Sequence, residues 1–595
     1  MSRKSRALYL GDREDGTPLT LDPHARKTHM HVLGVSGKGK SYFLEYLIRQ
    51  DIKNGDGLCL IDPHGTLYHK IVAWCAEHPD LVNWDKLMLF DATAPGWCCG
   101  FNPLRFGEEA DTSFSVDSMV SACAQVWGGE DSNATPLLKR VLRSLIHALV
   151  ESGLTLREAE YLVVAREDFR PLRRYITGRV EDPIIRSQWE SWHEARPNEV
   201  AEKFESTNNR IIEFLAAPTL RSIVGQDEKV IDFRKVMDKG GVVLVNLESR
   251  NKLSDFNART LGTLITNDLF LKAQTRPEGS RPFYFYIDEC ARYLNETIER
   301  IFTESRKRGL HLILANQDLS QLRKAGETVY KAVMGGAQTK VIFGGGAFED
   351  VDTVVKEVFL DLNLEEPKPS LTKKAAVGQE LVIMHGGGEG KALVKSRGHA
   401  LGIGDGAATM VGQGASEIMS HRIFADGAES LGAMSAMGES RSSLASSSTM
   451  RSEVNSEAEA ESISEMKSWA EAYKTIYEDM IGGTYSLEEQ RYRKAAWLKR
   501  QPVQTALLVL PSYDLTPFHV PSVREPKVSE QRKERFERRR FEALPFVQSE
   551  AQAWRNIEDR TLRLKQDAGI LPKQIIEAEF NPLDNDPPDS GGDNR

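Results

Sequence analysis

One short stretch, Gly34-Val35-Ser36-Gly37-Lys38-Gly39-Lys40-Ser41, constrains this 595-residue chain more than any other. It matches the pattern GxxxxGK[ST], in which glycines let backbone N–H groups turn inward around an anion while the next helix points its N-terminus at the same anion. Such a loop must join a strand to a helix, and its flanks agree. HMHVLG (29–34) is a strand-length apolar run, and SYFLEYLIRQDI (41–52) carries apolar residues at helical spacing. The pattern predicts a polyphosphate site in which Lys40 reaches the β- and γ-phosphates and the Ser41 hydroxyl ligates Mg²⁺. Gly34, Ser36, Gly37, Lys38, Gly39 and Tyr42 complete the expected contact set, with the Lys38 side chain facing solvent.

A loop of this kind needs a distant acidic partner for the metal. Phe283-Tyr-Phe-Tyr-Ile-Asp288-Glu289 supplies one, as a buried strand ending in two carboxylates. Asp288 is expected to hold Mg²⁺ and Glu289 to orient or deprotonate an attacking water. The next apolar run, HLILANQ (311–317), ends in Gln317, which is placed to sense the γ-phosphate or position that water; an amide capping a strand end is the plainer alternative. Arg306 lies on the expected helix between these two strands, within Arg306-Lys307-Arg308. In a lone subunit it is a surface arginine, whereas in a ring it can reach a neighbour's nucleotide and stabilise charge developing there. Asp62-Pro63-His64-Gly65 follows another strand; two potential ligands without others nearby make a turn close to the loop a better reading than a metal site.

The same alternation of β-like and helical runs places these motifs in one α/β domain with a parallel sheet. Ala7–Asp22 reads as two short strands around a turn at Asp15-Gly16, and GLCLID (57–62) and KLMLFD (86–91) as further strands. The rhythm stops at FNPL (101–104), and residues 110–225 read as helices. Thr135-Pro136 opens one helix, Leu138, Leu142, Leu145 and Leu149 stripe it, and Gly153 closes it. Thr155 and Glu158 form a capping box for the next. Strands resume at GGVVLVNL (240–247). The expected organisation is 1–105, an amino-terminal hairpin and first part of the P-loop α/β domain; 106–230, an all-helical insertion; 231–385, the second part of that domain; 386–465, a linker; 466–545, a helical and strand extension; and 546–595, a helix and polar tail. Gly, Ser and Ala make up half of residues 401–460, with Phe424 the one aromatic there, a composition that cannot bury enough apolar surface to offset chain entropy. That stretch is expected to be a disordered tether, and order to return over 463–497 as helix, followed by a strand at TALLVL (505–510).

Composition narrows the class. A net charge of −9 excludes a chain that coats nucleic acid by bulk charge, though a local basic channel fits within that total. No apolar run approaches the length of a membrane span, the amino terminus lacks a secretory h-region, and six cysteines without CxxC spacing suggest neither a disulfide framework nor a zinc site. A cytoplasmic location is the expectation, with recruitment to the inner face of the membrane through a partner.

Together GVSGKGKS, LIDPHG, FNPL, FYFYIDECARYL and ESRKRGLHLILANQDLSQL resemble the FtsK–HerA superfamily of P-loop ATPases. Within it, the helical insertion after FNPL is similar to the conjugative coupling proteins of the TraG/TraD type. The resemblance covers about residues 7–350, with a weaker echo in 485–526. It implies a RecA-like fold, ATP and Mg²⁺ as cofactors, and a hexamer that hydrolyses ATP between subunits and draws DNA through a central pore. By position, Lys40 and Ser41 match the Walker A pair, Asp288 and Glu289 the Walker B pair, Gln317 the sensor and Arg306 the arginine finger.

Two departures qualify the likeness. Anchored coupling proteins carry amino-terminal spans and HerA-type helicases a small β-barrel, whereas 33 residues precede Gly34 here. Three functions follow as expectations. The first is a DNA-pumping ATPase in conjugative or mobile-element transfer, with a relaxase or secretion-channel subunit and a membrane partner. The second is a HerA-like translocase in DNA end processing or phage defence beside a nuclease. The third is an ATP-dependent assembly switch that moves no DNA.

Overall fold

Continuous apolar strands are what a sheet covered by helices on both faces demands, and seven such strands form the parallel centre of this protein. The computed structural model describes residues 7–107, 111–127, 136–164, 166–249, 252–294, 301–302, 304–360, 372–390, 464–481 and 484–570. They fall into two compact units, one running to Leu360 and resuming at Arg491, the other spanning Asp361–Gln490.

The first unit opens with the hairpin β1 (Leu8–Arg13) and β2 (Pro18–Leu21), then β3 (Met30–Leu33), α1 (Lys40–Asn54), β4 (Gly57–Asp62), α2 (Thr66–Glu77), β5 (Leu87–Asp91) and the short β6 (Trp97–Cys99). After the insertion come β7 (Val242–Asn246), α3 (Asp255–Gln274), β8 (Phe283–Ile287), β9 (Leu310–Asn316), α4 (Leu319–Ala325), α5 (Glu327–Gly336), β10 (Thr339–Phe343) and α6 (Phe348–Val358). The sheet order is β2-β1-β14-β13-β10-β3-β9-β8-β4-β7-β5, with β13 and β14 supplied from the carboxy-terminal part of the chain. Strands β10, β3, β9, β8, β4, β7 and β5 are parallel. The loop-bearing β3 and the acidic β8 flank β9, so their carboxyl ends and that of the glutamine strand meet at one edge. This is the expected RecA-type α/β arrangement.

Between Thr112 and Val224 every described regular element is helical, as the sequence predicted. Gly153 sits in the left-handed region at φ +64°, where a side chain is disfavoured, and ends the helix Pro136–Glu151. The Thr155–Glu158 capping box forms, with the Thr155 N–H donating to Glu158 Oε2 at 2.9 Å. Thr135, the expected cap of the preceding helix, lies outside the described residues. Trp189, Trp192 and Phe204 build an edge-to-face aromatic cluster in the core of this insertion, with ring centroids 4.8–6.0 Å apart.

The carboxy-terminal part is woven into the same unit. α7 (Leu487–Lys499) leads to β13 (Thr505–Val509) and β14 (Leu515–His519), where β13 pairs antiparallel with β10 and β14 with β1. α8 (Glu530–Ala543) is followed by β15 (Val547–Ser549), which pairs with β6, and by α9 (Glu550–Asp567). From α9 the buried Arg560 reaches Glu158 of the insertion at 2.8 Å and Asp227 at 3.3 Å. Removing one member of a buried ion pair typically costs about 3–5 kcal/mol, so this contact ties the end of the chain to the helical insertion.

The second unit contains the antiparallel ladder of β11 (Thr372–Gly390) and β12 (Ser464–Ile481). Helix was expected over 463–497, but 464–481 is strand and helix begins only at Leu487. The apolar spacing of SEMKSWAEAYKTIYEDMI suits either state, and pairing with a segment about 90 residues earlier decides it, which no local pattern reveals. The ladder also crosses the expected boundaries of the 386–465 linker. The linker's centre, with Met410, Met419, Met434, Met437 and Met450, and the tail from 571 lie outside the described residues. Among the described residues no helix is long and apolar enough to cross a membrane.

Candidate active site

The glycine-rich loop leaves β3 at its carboxyl end. A Cβ on Gly34 would lie 2.7 Å from the Phe343 Cβ, so only glycine lets β3 turn away this close to β10. Gly37 (φ +81°) and Gly39 (φ +111°) occupy left-handed backbone that other residues rarely adopt. α1 then starts at Lys40, with the Phe43 N–H donating to Gly39 O at 3.0 Å. A Cβ at Gly37 would meet nothing within 4 Å, which leaves the inner side of the loop open for an anion. Ser36 and Ser41 are exposed at its lip, and Tyr42, half-buried, lies under the Lys70 ammonium at 4.9 Å.

Across the edge, Lys40 Nζ donates to Asp288 Oδ1 at 2.5 Å, with both residues buried. A buried ammonium and carboxylate this close neutralise each other, yet each is the group a phosphate or a cation would recruit. Glu289 follows with φ +53°, a left-handed conformation that is uncommon outside glycine and concentrates at functional sites. Its Oε1 accepts from Gln317 Nε2 at 2.5 Å and lies 3.8 Å from His64 Nε2. The His64 imidazole holds the Glu289 carboxyl below its ordinary range against the upward push of burial, with Gln317 and Lys40 acting in the same direction as His64. Reciprocally, Glu289 raises His64. Behind Gln317, His31 Nε2 and Asn316 Oδ1 are 2.5 Å apart, and Gly34 N–H donates to Asn316 O, which ties the loop to the glutamine strand.

The structure thus gathers Gly34 through Tyr42, Asp288, Glu289 and Gln317 at one sheet edge. Arg306 is not among them, nor is it on a helix as expected. It lies in the turn 305–309 before β9, at the opposite edge of the strands, lining a cleft with Lys27, Lys53, Arg281 and Lys307. Lys38 also differs from expectation: its ammonium, instead of facing solvent, donates to Gln501 O at 2.9 Å. His64, read in sequence as part of a turn close to the loop, faces Glu289, while Asp62 accepts from His64 N–H and Tyr68 N–H and caps the turn into α2. Gln501 and Gln504 were invisible as neighbours of the loop because some 460 residues separate them from it.

An open glycine cradle, a buried ammonium and a buried carboxylate at its floor fit the phosphates of a nucleotide and an oxygen-seeking cation. Lys40 and the loop amides would hold the phosphates, and Ser41 with Asp288 the Mg²⁺, which would neutralise charge at the phosphoryl group.

Two family models match segments that carry these motifs. Residues 8–77 match the family described as helicase HerA, central domain, and residues 282–357 match the family described as the TraM recognition site of TraD and TraG. No curated protein matches by sequence. Among solved structures, the bacterial conjugative coupling protein TrwBdeltaN70 is similar at 14% identity and TM-score 0.48, covering 88% of this chain and 92% of that one. The plasmid coupling protein TrwB in complex with the non-hydrolysable ATP analogue ADPNP is similar at 17% identity and TM-score 0.43, covering 60% and 79%. VirB4 of Thermoanaerobacter pseudethanolicus gives 13% and 0.42, covering 60% and 90%. One family segment thus carries the glycine loop, and the other carries the Asp288–Glu289 and Gln317 strands of the same sheet.

Proposed function

We propose that this chain is a P-loop ATPase, a ring-forming DNA translocase that moves DNA, or a DNA–protein complex, in conjugative or mobile-element transfer. The observation that carries the reading is the paired arrangement at one edge: Lys40 on Asp288, and Gln317 on Glu289. A carboxylate held low by a histidine stays ionised at neutral pH, so Glu289 acts by orienting the attacking water more than by strong basicity. Gln317, bonded to that carboxylate, carries the state of the phosphate end to β9 and through Asn316 to the loop. With nucleotide bound, Lys40 would exchange Asp288 for the phosphates, and Asp288 would then be available to hold Mg²⁺. Arg306 has no path to its own loop, so its catalytic use requires the nucleotide of an adjacent copy, as in a hexamer. A relaxase or a secretion-channel subunit is the partner class this role calls for, together with a membrane partner. The HerA-type match over 8–77 favours a second reading, translocation in DNA end processing or defence beside a nuclease.

The test is ATP turnover by the full chain with and without DNA. Turnover should rise on adding DNA and fall by about 100-fold or more in Lys40→Ala and Glu289→Gln. Turnover indifferent to DNA, yet abolished in both variants, would replace the motor by a nucleotide-dependent assembly switch.

A further inference from the structure

On the side of the carboxy-terminal hairpin a cleft of about 750 Å³ opens against the phosphate loop. Gln501, which lines it, accepts from Lys38 Nζ at 2.9 Å. Gln504 donates its N–H to Lys38 O at 2.9 Å, and its Cα stands 3.1 Å from where a Gly39 Cβ would be. One lining residue, Gln501, thus contacts Lys38, and the turn that follows it packs on Gly39. Its wall from α7 presents Tyr492, Trp497 and Arg500. The two aromatics are 63% and 37% exposed, unusual for side chains of their size. They are not loose, because Tyr492 packs on Phe348 and Trp497 edge-on against Phe359, at 5.6 and 6.3 Å between centroids. The Arg500 guanidinium is exposed and makes no ion pair among the described residues.

Rigid aromatic faces beside a free guanidinium recognise a planar, electron-rich ring by stacking and cation–π attraction. The lining carries Asp12 and Glu14 beside Arg13, Arg493 and Arg500, so charge alone does not choose the occupant, and the contact with the phosphate loop does. We infer that this cleft holds the base of the nucleotide whose phosphates occupy the glycine loop, with Trp497 as the stacking face and Arg500 as the polar contact. The inference rests on the P-loop reading above, and it makes α7 and the Gln501–Gln504 turn part of nucleotide selection.

Binding of ATPγS and of inorganic tripolyphosphate, each with Mg²⁺, to the full-length protein by calorimetry separates the two claims. Trp497→Ala and Arg500→Ala should each weaken ATPγS about tenfold and leave tripolyphosphate within about twofold. Trp497→Phe should recover most of the loss, and Lys40→Ala should weaken both ligands. If Trp497→Ala and Arg500→Ala bind ATPγS like wild type while Lys40→Ala loses both ligands, the base site is overturned and the phosphate loop stands. Equal loss of both ligands in the cleft variants overturns it too, as does loss confined to a single-stranded oligonucleotide. Wild-type binding of both ligands by Lys40→Ala would instead overturn the P-loop reading itself.

Discussion

Glu289 shows how one backbone angle sets up chemistry. At φ +53° its carboxylate turns back over the strand end, between Gln317 and His64, instead of continuing the line of β8. The cost of that conformation, about 1–3 kcal/mol, is offset by contacts that only this geometry makes. The pair has a measurable sign. A histidine whose folded pKa is raised stabilises below its unfolded value near 6.5 and loses that contribution as pH rises through the folded value. In Glu289→Gln the carboxylate is gone, so the His64 titration followed by NMR should move to lower pH than in wild type. A His64 titration unmoved by Glu289→Gln would show that the two side chains do not interact in solution.

At the level of elements, the strands and the glycine loop were legible because their signals are local: apolar runs of strand length, a fixed glycine spacing, two acids at a strand end. What the sequence hid is what depends on distant partners. The β12 strand, the seat of Gln504 on the loop and the closing of α9 on the insertion through Arg560 are all pairings across tens to hundreds of residues. Arg306 shows a subtler limit, since its spacing from Gln317 suggested a helix, whereas it lies in the turn just before β9. Packing between elements yields a paired test. A Cβ on Gly262 of α3 would fall 2.3 Å from the Tyr293 ring and 2.8 Å from Leu247, whereas one on Gly335 of α5 would meet nothing within 4 Å. Gly262→Ala should therefore lose about 1–3 kcal/mol in denaturant unfolding, while Gly335→Ala should gain about 0.5–1 kcal/mol. Equal effects of both would mean that the tight seam between α3 and the segment after β8 is absent.

Across the whole molecule, acid sensitivity follows from buried histidines: His29 just before β3, His31 on β3 and His311 on β9. Burial pushes His29 and His31 down to about 4 and His311 to about 3. His29 is held neutral, its Nδ1 accepting from Leu312 N–H and its Nε2 3.1 Å from Phe302 O. Groups with depressed folded values contribute fully above their unfolded pKa near 6.5, and the contribution is lost as pH falls toward the folded values. Thermal stability should accordingly drop steeply between pH 6.5 and 4, and His311→Gln should flatten part of that slope. A melting temperature constant over this window would contradict the burial of these side chains. The net charge of −9 does not conflict with DNA handling, because local features such as the basic cleft around Arg306 are hidden in the total.

The central claim is that phosphate chemistry at one sheet edge is converted into movement along DNA. Displacement of streptavidin from end-biotinylated single- and double-stranded DNA by the full chain tests it most directly. The account predicts ATP-dependent displacement from at least one of the two substrates, abolished in Glu289→Gln. ATP hydrolysis stimulated by DNA with no displacement from either would contradict it.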